Sequence, residues 1–163
     1  MPELPEVESI RRQLEPLILG KTLIDSYSFS SKKFEQAKLA SGFHIEAVNR
    51  RGKYLIITLE NELAVEEKRK ELIIHLGMTG SISVTEKKSN DPYVRAEWEL
   101  DNGLFFTFRD IRRFGRIAFV DPGNYKSLPT LNSIGPEPFD PDLTSNSFYK
   151  SLSSSKSQLK TKL

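Results

Sequence analysis

Eight short strand-like segments follow one another along the first three quarters of the chain, and they restrict the fold more than any other feature. β-branched and aromatic residues are frequent in these segments, and glycine, proline or asparagine separates several of them. Asn102-Gly103 stands between two of the segments and predicts a tight hairpin. The predicted strands are 22–28, 43–49, 54–60, 71–76, 81–85, 93–100, 104–109 and 116–120. Such a series predicts an antiparallel sandwich or barrel-like domain.

One strand pattern is especially regular, because its apolar residues alternate with charged ones. Val94, Ala96, Trp98 and Leu100 fall on one face, and Arg95, Glu97 and Glu99 fall on the other. This alternation is typical of a half-buried strand whose charged face meets solvent.

The N-terminal segment 5–19 predicts a helix. It carries an apolar stripe at helical spacing, formed by Val7, Ile10, Leu14, Leu17 and Ile18. Gly20 predicts its end, and Pro16 predicts a kink or a restart before that end. Short helices are also predicted at 32–40 and 144–152. The predicted fold class is therefore α+β, an eight-stranded antiparallel sandwich with an N-terminal helix and short flanking helices.

Length and composition exclude several classes of protein. The chain has 163 residues, 37% of them hydrophobic and 28% charged, which fits one soluble globular domain. No apolar run approaches the roughly 20 residues of a membrane span. The chain has no cysteine and two histidines, so disulfides and thiolate metal sites are excluded and no metal site is expected.

Arginine and lysine are clustered although the net charge is only +2. One cluster lies at 50–53, and the other contains Arg109, Arg112, Arg113 and Arg116. Solvated surface charge is the usual explanation of such a run. Because the second cluster is interleaved with Phe108 and Phe114, we favour a surface that binds phosphates and stacks on bases.

Two loop motifs place side chains that suit an extruded base. Gly77 and Gly80 bracket Met78, so the methionine is expected at a loop tip, although methionine is more often a core residue. A flexible apolar side chain at such a tip can enter the gap in a base stack. Arg112 and Phe114 lie two residues apart, so one can hydrogen-bond an orphaned base while the other stacks on the same step.

The N-terminus carries a candidate nucleophile. If Met1 is removed, Pro2 has a free secondary amine, and the reference α-amino pKa of roughly 7.7 to 8.0 leaves part of it unprotonated near neutral pH. Such an amine can attack a sugar carbon and form an iminium intermediate. Glu3 is adjacent and Glu6 lies one helical turn further on, so both can handle protons there. Alternatively, acidic residues here only complement a helix dipole, which is the interpretation we prefer for Glu8.

These motifs resemble those of a known family. The string at 2–8, PELPEVE, resembles the N-terminus of the formamidopyrimidine-DNA glycosylase family. The motifs at 51–54 (RGKY), 75–80 (HLGMTG), 110–116 (DIRRFGR) and 135–138 (GPEP) follow in the order of that family's catalytic domain. The resemblance covers essentially the whole chain.

The resemblance implies a role for each matched catalytic residue. Pro2 would be the nucleophile on C1′ of the damaged nucleotide, and Glu3 would be the general acid and base. Lys53 would be an electrostatic or proton-handling residue in the active site.

The resemblance also implies a DNA-binding surface. Met78, Arg112 and Phe114 would fill the space behind a flipped nucleotide, and His75 would contact a backbone phosphate. Extruding a nucleotide costs a few kcal/mol, which the inserted side chains partly restore. Two further basic residues are expected to contact DNA, namely Arg109 and Lys156.

Part of the family's protein has no counterpart in this chain. The family continues into a helix-two-turn-helix DNA-binding region and usually a zinc finger of four cysteines. We therefore expect residues 1–150 to form the catalytic domain and residues 151–163, rich in serine and lysine, to be the start of that missing region. No cofactor is expected, because the zinc finger is absent.

The function implied is that of a base-excision-repair DNA glycosylase with AP-lyase activity, which removes oxidised purines through a Schiff base at the N-terminal proline. The implied partner is double-stranded DNA with an oxidised or abasic site. A cytoplasmic, nucleoid-associated monomer without membrane contact is expected. Two alternatives stay open: a truncated remnant that binds damaged DNA without turnover, and a scaffold that binds protein through its arginine surface.

Overall fold

The computed structural model describes residues 3–66 and 68–134 of the chain. The helices within these residues are α1 (Leu4–Ile18), a 3₁₀ helix (Glu35–Ala40) and α2 (Pro129–Asn132). The strands are β1 (Leu23–Ser28), β2 (His44–Arg51), β3 (Tyr54–Glu60), β4 (Arg69–His75), β5 (Ser81–Thr85), β6 (Val94–Leu100), β7 (Phe105–Arg109) and β8 (Arg116–Val120). All eight predicted strands are confirmed, with bounds that differ by at most two residues.

The strands form two four-stranded antiparallel sheets, which confirms the predicted α+β sandwich. The first sheet has the order β1-β6-β7-β5 and the second has the order β2-β3-β4-β8. The predicted hairpin at Asn102-Gly103 is also confirmed, since β6 pairs with β7 and Gly103 has a φ of 85°. Glycine adopts this left-handed conformation without the steric cost that a side chain would bring.

Helices close both open sides of the sandwich. Helix α1 packs against β2 and β3 of the second sheet and against β5 of the first, with Val7, Leu14 and Ile18 buried. The 3₁₀ helix packs against β1 and β8 on the opposite side. All four edge strands are therefore flanked by a helix, which protects their unpaired backbone groups.

The predicted N-terminal helix is confirmed as one continuous helix, so the restart that Pro16 could have caused does not occur. Helix α1 continues through Pro16 to Ile18, because a proline in the last turn removes only one intrahelical hydrogen bond. Gly20 ends the helix as predicted, with a φ of 79° and its N–H donated to Ile45 O. The predicted helix at 32–40 is a 3₁₀ helix at 35–40, and the one predicted at 144–152 lies outside the described residues.

Two sheet faces are covered more fully than the sequence patterns indicate. Segment 121–134 packs over the outer face of the second sheet and forms a second apolar cluster with it: Tyr54, Ile56, Ile73, Ala118, Tyr125, Leu128 and Leu131. On the first sheet, Arg95 and Glu97 are 5% and 4% exposed, so the prediction that this charged face meets solvent is wrong for both. Glu97 accepts hydrogen bonds from Ser89 N and Thr107 Oγ1, which offset its burial.

Three connections lie at the same end of the sandwich. Segments 76–80 and 110–115 each cross from one sheet to the other, and the turn at 52–53 joins β2 to β3. They share an end because His75, the last residue of β4, pairs with the first residues of β3 and β8. No helix among residues 3–66 and 68–134 is long and apolar enough to cross a membrane.

Candidate functional site

Glu3 and Lys53 form an ion pair at the end of the sandwich where segments 76–80 and 110–115 lie. Glu3 precedes α1 in an extended conformation, and its side chain makes no capping hydrogen bond to the helix. Its Oε2 lies 3.5 Å from Lys53 Nζ, with the glutamate side chain 65% exposed and the lysine side chain 34% exposed. The carboxylate therefore faces the lysine rather than the helix N-terminus, and two predicted site residues are brought together.

A two-residue turn presents Lys53. Arg51 and Tyr54 are paired across the hairpin, so Gly52 and Lys53 alone connect β2 to β3. Gly52 has a φ of 58°, a left-handed conformation that favours glycine. This tight turn fixes the base of the lysine side chain close to the start of α1.

Glu8 holds the helix and the turn together. Its carboxylate accepts hydrogen bonds from Arg11 Nε at 2.9 Å, Arg12 Nε at 2.7 Å and Arg50 Nε at 3.1 Å. Arg50 also donates to Gly52 O at 3.0 Å, within the turn that carries Lys53. The interpretation of Glu8 as a residue of the helix start alone is therefore wrong, because its main contacts are arginines and one of them belongs to β2.

The same contacts keep Glu8 ionised. Partial burial opposes ionisation, but the hydrogen bonds from Arg11, Arg12 and Arg50 outweigh it and lower the pKa of Glu8 to about 2. Its negative charge is thus present at every pH at which the protein is expected to work.

The other predicted N-terminal residues are placed differently. Glu6 is exposed in the first turn of α1, and its side chain makes no hydrogen bond or ion pair with the residues at 3–66 and 68–134. Its predicted role in proton transfer stays a prediction. Pro2, the predicted nucleophile, and Lys156 lie outside the described residues, although Pro2 is covalently joined to Glu3.

His75 lies between the ion pair and the two crossing segments. Its ring centroid is 4.7 Å from that of Tyr54, and its Nδ1 accepts the N–H of Gly77 at 3.2 Å. Since Nδ1 accepts, the ring proton is on Nε2, which can donate to a phosphate oxygen. Burial lowers the pKa of His75, the nearby charge of Lys53 lowers it further, and Asp110 partly opposes both. The imidazole is therefore neutral at neutral pH.

The segments 76–80 and 110–115 touch backbone to backbone. A Cβ atom on Gly77 would lie 2.4 Å from Gly115 N, and one on Gly115 would lie 2.6 Å from His75 O. Since real Cβ atoms do not approach so closely, only glycine fits at either position. This contact brings the two predicted DNA-binding loops side by side.

Apolar and cationic side chains project from these loops. Met78 is 46% exposed, which confirms its predicted place outside the core, and Phe114 is 49% exposed. Arg112 Cζ lies 4.9 Å from the Phe114 ring centroid, so arginine and aromatic ring are stacked. Lys33 lies 5.9 Å from the same ring and donates to Arg113 O at 2.7 Å. Met78, Arg112 and Phe114 therefore share one surface, which we call the wedge.

Arg109 is at the same end but already has a partner. At the end of β7 its Nε donates to Asp91 Oδ2 at 2.5 Å, and its guanidinium lies 5.3 Å from the Tyr93 ring. A hydrogen bond from Tyr93 N lowers the pKa of Asp91, and the bond from Arg109 adds to this. The contact of Arg109 with DNA stays a prediction.

Two residues that build this site were missed from the sequence. Asp110 is fully buried and accepts bonds from both loops, and Arg95 donates to Asp110 O at 2.8 Å. Neither the residue types nor the spacing of Asp110 and Arg95 indicates that they are buried and bonded to each other. Arg95 follows the pattern of a solvent-facing strand residue. No group of three or more His, Asp or Glu side chains that could hold a metal ion occurs among residues 3–66 and 68–134.

Comparison with known proteins identifies the family. The family model described as the formamidopyrimidine-DNA glycosylase N-terminal domain matches residues 1–117. The chain belongs to this family. The resemblance of its motifs is thus confirmed.

Relatives of the formamidopyrimidine-DNA glycosylase family match along most of this chain. The formamidopyrimidine-DNA glycosylase of Deinococcus radiodurans is 42% identical over 150 residues, which are 91% of this chain and 52% of the relative. That of Thermus thermophilus is 39% identical over 163 residues, all of this chain and 57% of the relative. The chain thus spans little more than half the length of these relatives.

Solved structures of the family show the same fold. The crystal structure of the MutM (Fpg) protein of Thermus thermophilus has a TM-score of 0.71 at 38% identity, covering 94% of this chain and 53% of that one. The Lactococcus lactis Fpg (MutM) in complex with DNA containing Fapy-dG has a TM-score of 0.67 at 30% identity. The match covers 83% of this chain and 51% of that one. The second protein was thus crystallised on damaged DNA.

Proposed function

We propose that this chain carries the catalytic site of a base-excision-repair DNA glycosylase with AP-lyase activity, acting on oxidised purines of the formamidopyrimidine and 8-oxoguanine type. The observation that carries the proposal is the ion pair of Lys53 with Glu3, the residue that follows Pro2, at the same end of the sandwich as the wedge. Family membership and the DNA complex of the Lactococcus relative support it. The partner would be double-stranded DNA with an oxidised or abasic site, bound by a monomer without a cofactor.

The proposed chemistry uses the Pro2 nitrogen as the nucleophile once Met1 is removed. The nitrogen attacks C1′, the glycosidic bond breaks, and the base leaves with the bonding electrons and takes up a proton. Opening of the sugar ring then gives an iminium between Pro2 and C1′. The iminium acidifies the C2′ hydrogen, whose removal expels the 3′ phosphate, and a second elimination expels the 5′ phosphate. Water finally releases the proline.

Glu3 and Lys53 would manage protons and charge in these steps. Glu3 is covalently next to the nucleophile, so its protonated carboxyl group can donate to the sugar ring oxygen, and the carboxylate that results can accept a proton during elimination. The Lys53 ammonium, 3.5 Å from Glu3 Oε2, would stabilise the negative charge of nearby phosphates. Glu6, exposed one turn away, is proposed as a secondary proton acceptor.

The wedge would hold the substrate open while this occurs. Met78 and Phe114 would fill the gap left by the extruded nucleotide, and Arg112 would hydrogen-bond the unpaired base on the opposite strand. His75 would donate its Nε2 proton to a phosphate oxygen beside the lesion. Arg109 and Lys156 are proposed as further phosphate contacts.

Excision assays on a duplex with a single 8-oxoguanine test the proposal. We expect strand cleavage by the wild-type chain with its initiator removed, and a loss of roughly 10²- to 10⁴-fold in Glu3→Gln, the usual contribution of a general acid or base. Glu15→Gln removes the same type of charge further along α1 and should cleave as the wild type does. If the wild-type chain prefers the damaged duplex but cleaves nothing, the alternative of a damage-binding protein without turnover replaces the proposal.

A further inference from the structure

Asp110 is a buried carboxylate that bonds to both crossing loops. It is 0% exposed, and its oxygens accept the hydroxyl of Thr79 at 2.6 Å, Arg113 N at 3.2 Å and Gly115 N at 2.8 Å. Two of these donors belong to its own loop, whereas Thr79 belongs to the loop of Met78. A buried carboxylate must be well hydrogen-bonded to offset its desolvation, so these bonds are strong constraints on both loops.

Thr79 completes a reciprocal link between the loops. While its hydroxyl donates to Asp110, the same oxygen accepts Arg112 N at 3.1 Å. The backbone of Arg112 is therefore held by a side chain that is next to Met78 in sequence. Together with the contact of Gly77 and Gly115, this fixes the wedge residue of one loop relative to those of the other.

We infer that Thr79 and Asp110 are positioning residues that couple the two loops, so that Met78 on one loop and Arg112 and Phe114 on the other enter the DNA as one preassembled unit. The inference rests on the proposed function for its DNA-binding step. Its consequence is that one hydroxyl, which need not touch DNA, determines how well the protein recognises the gap behind an extruded nucleotide. Preorganisation of this kind lowers the entropic cost of binding.

Thr79 is the better residue to change, because the loop of Arg112 keeps its other supports. Asp110 would still accept Arg113 N and Gly115 N, and Arg95 would still donate to Asp110 O and Ile111 O. Thr79→Val keeps the shape of the side chain and removes both hydroxyl bonds. Thr79→Ser keeps the hydroxyl and is the matched control.

The first measurement needs no DNA. In Thr79→Val we expect amide hydrogen exchange of Arg112 to accelerate roughly tenfold, the equivalent of one hydrogen bond, while Gly115 changes little. Thr79→Ser should exchange as the wild type does. Unchanged exchange of Arg112 in Thr79→Val would refute the link between the loops, whatever the protein does to DNA.

The second measurement is equilibrium binding to a duplex with a tetrahydrofuran abasic analogue. Thr79→Val should bind about tenfold more weakly and Thr79→Ser within about twofold of the wild type, with affinity for the undamaged duplex unchanged in both. In the wild type, the losses of binding free energy caused by Met78→Ala and by Arg112→Ala should be non-additive. In the Thr79→Val background the same two losses should become additive.

The outcomes separate the inference from the function on which it rests. Equal affinity of Thr79→Val and wild type for the abasic duplex, or additive losses in the wild type, would overturn the inference while leaving the proposed function intact. A wild-type chain without preference for the abasic duplex would instead refute the DNA-binding step and the proposed function together, even if Arg112 exchange responds as expected.

Discussion

Arg50 Nε lies 3.1 Å from Glu8 Oε1, and this contact joins the turn that carries Lys53 to the helix that begins beside Glu3. The Arg50 side chain is only 3% exposed, so the contact is a buried one on the arginine side. The ion pair of Glu3 and Lys53 is exposed, and such pairs are worth little by themselves. The scaffold around Glu8, rather than the ion pair, therefore sets the geometry of the candidate catalytic groups.

Neutralising Glu8 should lower both stability and activity. Removing one partner of a buried ion pair costs about 3–5 kcal/mol, and because Glu8 is partly exposed we expect Glu8→Gln to reduce the free energy of unfolding by about 2 kcal/mol. Urea unfolding measures this. Glu15→Gln is the matched control, since Glu15 pairs with the same Arg11 but is more exposed, and it should cost less than about 0.5 kcal/mol. Equal losses in the two variants would contradict the role assigned to Glu8.

The acid stability of the protein should depend on the same carboxylate. The pKa of Glu8 is about 2 in the folded protein against an ordinary 4.5, so the unfolded chain binds more protons between these values. The stabilisation is complete above pH 4.5 and is lost as the pH falls towards 2. Unfolding measured from pH 5 to pH 2.5 should show a steeper loss in the wild type than in Glu8→Gln. Parallel curves would show that Glu8 carries no depressed pKa.

His75 should stay neutral below its ordinary titration range. Burial and the charge of Lys53 lower its pKa, so the folded state resists protonation and the stability contributed by His75 is complete above about pH 6.5 and falls below it. Proton NMR titration should give a midpoint below 6.5, and His44→Gln assigns the signal, since the chain has two histidines. Lys53→Met should raise that midpoint. A midpoint above 6.5 in the wild type would contradict the described environment.

The exposed wedge side chains should matter for damaged DNA and not for folding. Phe114→Ala and Met78→Ala should each weaken binding to an abasic duplex by about 1–3 kcal/mol, the range for stacking side chains. Their free energies of unfolding should change by less than about 0.5 kcal/mol, since both side chains are half exposed. Leu63→Ala, an exposed apolar residue in the loop at the opposite end, should affect neither quantity. Fluorescence anisotropy and urea unfolding give the two readouts.

Local patterns predicted the architecture well because each strand carries its own signal. The alternation of apolar and charged residues placed Trp98 in the core, and the glycines on either side of Met78 indicated a loop tip. Both predictions depend on neighbouring residues only. That Lys53 and Glu3 share a site was implied by the resemblance to the glycosylase family and not by any local pattern.

Contacts between distant segments were not predictable from such patterns. Arg95 has the sequence pattern of a solvent-facing residue, yet segment 110–111 covers it and accepts its hydrogen bonds. Likewise, the bond from Arg50 to Glu8 spans 42 positions, and nothing in either segment names the other as partner. Pairings of this kind depend on how the sheets and α1 pack, which periodicity does not report.

The most direct test of the central claim is borohydride trapping on a duplex with an abasic site, followed by peptide mapping of the adduct. We expect a reduced adduct on Pro2 in chains that lack Met1, and none in chains that retain it, because the Pro2 nitrogen is then an amide. Lys53 is a neighbouring amine and serves as the internal comparison. An adduct on Lys53, or no adduct under conditions where the chain binds the abasic duplex, would contradict the account.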